Sequence, residues 1–344
     1  MKTMKRWEML RTGRDALELN TVLVPQPASD EVLVKVLAVS LNHRDKMVIE
    51  HGRGLPLRFP FTPGSDLSGC VVATGSDVTR FVPGDEVISV FTPDWQDGLR
   101  PGNARELSYR TLGGFYPGVL AEYVAMKQHW LVRKPVALNH VEASTLPCAA
   151  LTAWFALVER GNIQSGETVL IQGTGGVALS ALQIVKMKGA QALLVTRTSK
   201  VGQIATLGVR DIIDRDHEDV VERVLALTQD RGVDHVLEIV GGDNLGKAAA
   251  MAAIGGKIYL IGALKGFDVS SPLEPLLFKD LHIYGIGTGH RRALTELCAA
   301  IDQQGFAPVI DKVYALEALP AALEHLDRGP VGKLVISLEK EFIQ

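Results

Sequence analysis

The run Val169-Leu170-Ile171-Gln172-Gly173-Thr174-Gly175-Gly176-Val177-Ala178 constrains this 344-residue chain more than any other stretch. A short apolar strand runs straight into glycines, and a helical apolar spacing follows at Ala181, Leu182, Ile184 and Val185. That order suits a dinucleotide. Gly173 permits the tight turn off the strand, and Gly175, having no Cβ, lets the backbone approach a pyrophosphate. Ala178 is small enough for the helix to pack on the strand. The first turn, with Thr174, Gly176 and Val177, offers free N–H groups and the positive end of the helix dipole.

The next strand ends at Thr196 and leads into Arg197-Thr198-Ser199-Lys200. An enzyme that takes NAD places an acid here, roughly 20 residues past the glycines, on the ribose hydroxyls. This segment has no acid. An arginine fork and a lysine flanked by hydroxyls suit a 2′-phosphate, so NADP(H) is the expected cofactor. The other reading is a solvated cluster at a helix start.

The same rhythm extends on both sides. Strands are expected at Thr168–Gln172, Ala192–Thr196, His235–Val240, Lys257–Gly262 and His282–Ile286. Helices are expected at Ala178–Lys188, Val201–Leu207, Val220–Gln229 and Asn244–Ala253. Alternation of this kind predicts a parallel, doubly wound sheet. The first third reads differently. Glu31 to Val39, Leu67 to Ala73 and Glu86 to Phe91 read as strands, with turn signals at Pro60, Pro63-Gly64 and Pro83-Gly84-Asp85. They predict a small barrel-like domain. Residues 92–118 are rich in Gly and Pro and read as a long loop. Helical spacing runs from Glu142 through Leu157. Short strands and one helix return between Pro308 and Leu338, ending in Lys333-Leu334-Val335-Ile336-Ser337.

A formal net charge of −3 predicts no nucleic-acid partner and no acidic membrane surface. No apolar run approaches the roughly 20 residues of a membrane helix. Met1 to Trp7 is basic but leads into no signal-peptide core. Cys70, Cys148 and Cys298 are far apart, so the expectation is free thiols and a cytoplasmic protein.

Several motifs occur in one order: Pro83-Gly84-Asp85-Glu86-Val87, Leu120-Ala121-Glu122-Tyr123, Leu146-Pro147-Cys148-Ala149-Ala150-Leu151-Thr152-Ala153-Trp154, the glycine run, and Gly332-Lys333-Leu334-Val335. On these the chain resembles the medium-chain dehydrogenase/reductase superfamily over nearly its whole length. Within it, the chain is most similar to the zinc-independent quinone reductases and related alcohol-dehydrogenase-like proteins. The resemblance implies an α/β protein with a GroES-like β-barrel catalytic domain from residues 1–146 and 291–344. A Rossmann NADP-binding domain over 147–290 would lie between them in sequence, with the active site in the cleft. It also implies that Thr152 faces the nicotinamide. Val240-Gly241, Gly262-Ala263 and Ile286-Gly287 would form the loops along its ribose and carboxamide, and Lys333 would reach the phosphate side. Family members often dimerise through the last strand of this sheet. His282 to Ile286 is an apolar edge strand of that type, so a homodimer is expected.

Zinc-dependent relatives carry their first ligand in a Cys-His-x-Asp motif and the second in Gly-His-Glu. Here those places hold Asn42-His43-Arg44-Asp45 and Gly64-Ser65-Asp66, and only Cys148 keeps a ligand type. One thiol between an amide and a hydroxyl is a poor zinc site, so no metal is expected. His43 and Asp66, each one residue off, are the alternative ligands. The four cysteines of the family's structural zinc are absent from residues 92–118, and Cys148 reads as a small apolar residue.

Without a Lewis acid, conjugate reduction is the simplest chemistry, because the enolate formed needs only hydrogen-bond donors and a late proton. Asn42 is the candidate donor to the carbonyl oxygen. Asp45 reads either as a proton relay or as a partner of Arg44 and a helix cap. Quinone reductases carry a tyrosine shortly after this motif; here Lys46-Met47 follows, and Tyr116 is the candidate replacement. The expected reaction is hydride transfer from NADPH to an activated C=C or quinone. A zinc-free alcohol or aldehyde dehydrogenase and a weakly catalytic NADPH-binding protein are the alternatives. Phe59, Phe61, Trp95, Tyr116, Phe267 and Leu276 on the predicted substrate loops suggest a small apolar substrate.

Overall fold

A computed structural model describes residues 2–342. The chain divides into two compact units. One takes residues up to Leu151 together with those from Gly289 onward; the other is Thr152–Thr288.

The second unit is the α/β one. Its six strands are Thr168–Gln172, Gln191–Thr196, Asp211–Asp214, Val233–Glu238, Ala252–Leu260 and His282–Gly285. Numbered within the unit, their spatial order is 3-2-1-4-5-6, and every neighbouring pair is parallel. That order reverses direction between the first and fourth strands, where α/β sheets open a crevice for ligands. The core follows from the apolar strand faces: Leu170, Val195, Ile213, Val236 and Ile258 pack with Val224 and Ala248 from the helices.

All five expected strands form at or near their predicted places. The strand at Asp211–Asp214 was not anticipated, because four residues with an acid at each end give no apolar run. The strand expected to reach Val240 stops at Glu238, since the Gly241 and Gly242 backbones adopt φ of 76° and 63°. The following strand starts early, at Ala252.

The first unit is β-rich. Its sheet runs in the order Ile310–Ala315, Lys333–Ser337, Glu31–Leu41, Asp66–Thr74, Glu86–Ser89, Leu131–Arg133, and Tyr123–Lys127 also pairs with Glu31–Leu41. Strand Glu31–Leu41 is the spine. Its first half meets Tyr123–Lys127, and Ala38 to Leu41 meet the returning chain at Leu334 to Ser337. A two-stranded ribbon, Thr3–Met9 with Leu17–Leu23, lies outside this sheet. The Trp7 indole donates to Leu316 O at 2.8 Å, which ties the ribbon to the returning segment. Helix Arg291–Gln304 belongs to the same unit. Residues 92–118 contain no helix or strand.

A polar chain is buried in the second unit. His235 shares a hydrogen bond with the Tyr259 hydroxyl at 2.7 Å and another with Glu167 at 2.8 Å. Both rings are fully buried. Burial holds His235 below the usual histidine range, against the opposing pull of Glu167. The unfolded chain therefore takes up this proton first as the pH falls, and stability is lost in the same direction. Urea midpoints should fall from about pH 7.5 to about pH 5.5, and a His235→Gln variant should show a shallower slope. An unchanged slope would remove His235 from that account.

Candidate functional site

The two places where the sequence points to chemistry are the glycine turn of the second unit and the Asn42, Ser65, Cys148 positions of the first.

Gly173 leaves the strand with φ of 83°, and its N–H donates to Val195 O at 2.8 Å. Gly175 is extended and precedes helix Gly176–Met187. A Cβ built on Gly175 would meet no protein atom within 4 Å. It would instead fill the open space before the free N–H groups of Gly176 and Val177, which is where a phosphate would sit. Ala178 is buried. The Thr174 hydroxyl accepts from Lys200 Nζ at 3.2 Å, so the second crossover already reaches the phosphate turn.

Thr196 is buried at its strand end, and Arg197 occupies the N-cap position of helix Thr198–Ala205. The Thr198 hydroxyl donates to Asp214 at 2.7 Å and its N–H to Asp216 at 3.1 Å. These two carboxylates were missed, since they sit at the end of the unanticipated third strand and in the turn just after it. Arg215 lies between them, with its N–H on Thr196 O at 3.0 Å. Among the described residues, the Arg197 and Arg215 side chains have no hydrogen-bond or ion-pair partner, and both are exposed, as is Ser199.

Glu238 is a further residue the sequence reading missed. It is fully buried at the end of its strand and accepts from the N–H groups of Val240 at 2.7 Å and Gly241 at 3.1 Å, and from Asn244 at 2.8 Å. It thereby shapes the Val240-Gly241 loop. Gly262 packs so tightly on that loop that a Cβ would lie 2.1 Å from Ile239 O; Ala263 follows it in the turn. Ile286 is buried, with its N–H on Leu260 O at 2.9 Å, and Gly287 follows. Thr152 is buried in the helical turns Leu151–Trp154.

The first unit holds a buried polar centre. Asn42 ends the spine strand and caps helix His43–His51, where its N–H donates to Asp45 Oδ2 at 2.8 Å. Its side-chain Nδ2 donates to Ser65 Oγ at 3.2 Å and to Asp66 Oδ2 at 2.9 Å. The Lys333 ammonium donates to Asn42 Oδ1 and, at 2.7 Å, to Leu41 O. Asp66 also accepts from Ser65 Oγ at 2.7 Å and from the N–H of Cys148 at 3.1 Å. Asn42, Asp45, Ser65, Asp66 and Lys333 are all at least nine-tenths buried.

Both Asn42 donor hydrogens are therefore committed within the centre. Both Asp45 oxygens are committed too, one to the Asn42 N–H and one to Arg44 at 3.0 Å. Arg44 ties this helix to the long loop through Leu112 O at 3.0 Å, Gly113 O at 2.8 Å and Thr111 Oγ1 at 2.8 Å. Tyr116 is spent elsewhere: its hydroxyl donates to Asp94 at 2.8 Å. Of the aromatic and apolar candidates for the substrate loops, Phe61 packs into the core of this unit and Leu276 against the core of the other.

Burial pushes the Asp66 carboxyl up to about 6, with the Lys333 charge pulling the other way. Burial and the neighbouring Asp66 push the Cys148 thiol well above its usual range, so it stays protonated. Among the described residues, no three His, Cys, Asp or Glu side chains converge as a metal site.

Residues 28–136 match the family model described as the alcohol dehydrogenase GroES-like domain, and residues 176–303 match that of zinc-binding dehydrogenases. A zinc-type alcohol dehydrogenase-like protein of Schizosaccharomyces pombe is 32% identical, over 95% of this chain and 97% of its own. The human quinone oxidoreductase is 26% identical over 95% of each chain. The crystal structure of a putative alcohol dehydrogenase from Sinorhizobium meliloti 1021 superposes with a TM-score of 0.96 at 52% identity, covering 98% of this chain and 99% of that one.

Removing the Lys333 charge leaves Asp66 as a buried carboxylate without its cation. Breaking such an arrangement costs about 3–5 kcal/mol. A raised carboxyl pKa makes that loss grow as pH rises, because the folded state must then give up a proton it holds more tightly than the unfolded state does. Lys333→Met should therefore lose more urea stability at about pH 8 than at about pH 5, and adding Asp66→Asn should narrow the gap. A loss independent of pH would disconnect the two residues.

Proposed function

This chain belongs to the medium-chain dehydrogenase/reductase superfamily, and from that premise we propose that it reduces an activated C=C or a quinone with NADPH and without a metal. It is an oxidoreductase; the cofactor, the acceptor and the metal-free chemistry are the proposal. The carrying observation is the Lys333 ammonium hydrogen-bonded to Asn42 Oδ1, where a zinc-dependent relative needs a thiolate.

The donor set does not fit zinc. Asn42 offers its oxygen to a cation already in place, Ser65 is a hydroxyl that donates to Asp66, and Cys148 is held as a thiol. Zinc takes thiolate, imidazole or carboxylate ligands, and only Asp66 is of that kind.

The glycine turn fits a dinucleotide, with the N–H groups of Gly176 and Val177 for the pyrophosphate. Arg197, Ser199, Lys200 and Arg215 would hold a 2′-phosphate. Asp214 and Asp216 favour the second reading, NADH, since a carboxylate suits free ribose hydroxyls. Each already accepts from Thr198, and the cations around them outnumber them, so NADPH is preferred.

When bound, NADPH supplies a hydride to the β-carbon while the carbonyl oxygen takes the displaced electron pair, and a proton then completes the saturated product. The protein's part is electrostatic. Lys333 is a fixed positive charge in a dry environment, which favours an oxygen gaining negative charge. Asn42 and Asp45 are positioning residues: they hold that charge and the start of helix His43–His51 in one geometry.

Chelator-treated enzyme with NADPH should reduce enones or quinones and leave simple alcohols untouched. Arg197→Ala should raise the KM for NADPH about tenfold, the size of one charge-assisted hydrogen bond, with NADH little changed. Activity on alcohols alone, returning only with added zinc, would overturn the reaction. Equal efficiency with NADH would overturn the cofactor, and tight NADPH binding without turnover across the panel would favour the non-enzymatic alternative.

We also propose a homodimer through strand His282–Gly285. It is the last strand of its sheet, and exposed Ile283, Leu273, Leu277 and Phe278 lie on it and on the preceding helix. Such an edge calls for a partner. Light scattering at micromolar concentration should report a dimer mass; a monomer mass would reject it. Three free thiols suit a cytoplasmic setting.

A further inference from the structure

One cavity in the first unit is not used by the reading above. It has a volume of about 500 Å³ and lies between helix His43–His51 with its following turn and the long loop. That size is within the range of small-molecule sites. Arg44, Arg53 and Arg110 line it, with Tyr109, Leu55 and Phe115.

Three guanidinium groups around one small cavity stand out in a chain whose net charge is −3. Arg44 is nine-tenths buried, and its Nε has no hydrogen-bond partner among the described residues. The rest of its guanidinium is held by Asp45, Thr111 and two loop carbonyls, so its orientation is fixed. Arg110 is a looser group, 3.9 Å from Asp94 and stacked over Phe115 at 4.8 Å. The Tyr109 ring is partly exposed and lies 6.2 Å from Phe91, the ring that Arg44 also covers. Desolvation raises its phenol above the usual tyrosine range, so the hydroxyl is a donor. Leu55 and Phe115 supply the apolar wall.

We propose that this cavity binds the carboxylate of an acidic α,β-unsaturated carbonyl substrate, with Arg53 and Arg110 on the carboxylate and Leu55 and Phe115 on its carbon skeleton. Arginine forks match a carboxylate in two parallel hydrogen bonds. The Glu106 carboxylate at the same cavity disfavours a dianion more than a monoanion, which selects a carboxylate over a phosphate. The substrate is then an apolar skeleton with one acidic end, rather than the wholly apolar compound expected from the sequence. This rests on the reductase reading for its substrate class, but the carboxylate site stands on its own geometry.

The test compares 4-oxo-2-pentenoate with its methyl ester as acceptors, and measures binding of the unreactive saturated acid, levulinate, by calorimetry on the full chain. We expect kcat/KM for the acid to exceed that for the ester at least tenfold, mostly through KM, as one charge-assisted pair would give. In Arg110→Met and Arg53→Met the ratio should fall toward one and levulinate binding should be lost. Arg110→Lys should restore part of both, which a merely structural role would not do. Ester turnover without acid preference and without levulinate binding overturns the carboxylate site and leaves the reductase reading standing. Arginine-dependent levulinate binding with no turnover of either acceptor overturns the reductase reading and keeps the site. Inorganic phosphate binding more tightly than levulinate overturns the choice of carboxylate.

Discussion

The structure of the first unit depends on one arrangement, the buried Lys333 ammonium held on Leu41 O and Asn42 Oδ1 near Asp66. A charge out of water is tolerated only when it is paired and hydrogen-bonded. Here two cations, Lys333 and Arg44, meet two carboxylates, Asp66 and Asp45, in one buried neighbourhood. The four come from three separate parts of the chain: the first turn of helix His43–His51, the strand beginning at Asp66, and the returning strand at Lys333. The returning strand is therefore more than a sheet neighbour, because it delivers the cation that the other segments require. The same balance bears on chemistry. The charges cancel as they stand, so a divalent ion placed among them would be uncompensated.

Much of the second unit was legible because its pattern is local. A strand, a glycine turn and an apolar helix announce themselves within twenty residues, and the strand–helix alternation that follows predicts a parallel, doubly wound sheet. What was not legible is short or polar. Asp211–Asp214 escaped because its ends are acidic, and with it went Asp214 and Asp216, the partners of Thr198. Glu238 escaped because a single acid at a strand end looks like solvent-facing polarity, whereas it gathers three donors from the turn it begins. In the first unit, Asn42, Ser65, Asp66 and Cys148 were each marked from a motif, but the motifs sit far apart and carry no distances. That Lys333 belongs with them follows only from the antiparallel register that puts Leu334 opposite Leu41.

The division of labour within Asn42-His43-Arg44-Asp45 shows how a local motif changes meaning with context. Read as a sequence, Asn42 is a candidate donor to substrate, while Asp45 is either a proton relay or a partner of Arg44 and a helix cap. In the folded chain their polar atoms bond to Asp66, Ser65, Lys333 and Arg44, and Asp45 takes the partner-and-cap reading. His43 is exposed on the helix, and desolvation together with Lys46 holds it below the usual histidine range. Arg44, the partner expected for Asp45 in one of its two readings, is paired to Asp45 on one side and lines the cavity on the other.

The long loop is where composition misleads most. Eight glycines and prolines among residues 93–118 suggest a floppy excursion, yet the glycines are what let the loop lie close. Gly113 adopts φ of 58°, and a Cβ there would come 2.4 Å from Gly64 O; at Gly118 the same distance is 2.3 Å. Backbone packed on backbone at that range admits no side chain. The loop is thereby pressed onto Gly64, next to Ser65 and Asp66, and Arg44 fastens it through two of its carbonyls. The end of a segment with no helix or strand is in this way fixed against the sheet. Glycine content reports flexibility in an unpacked chain, but here it reports the closeness of the approach.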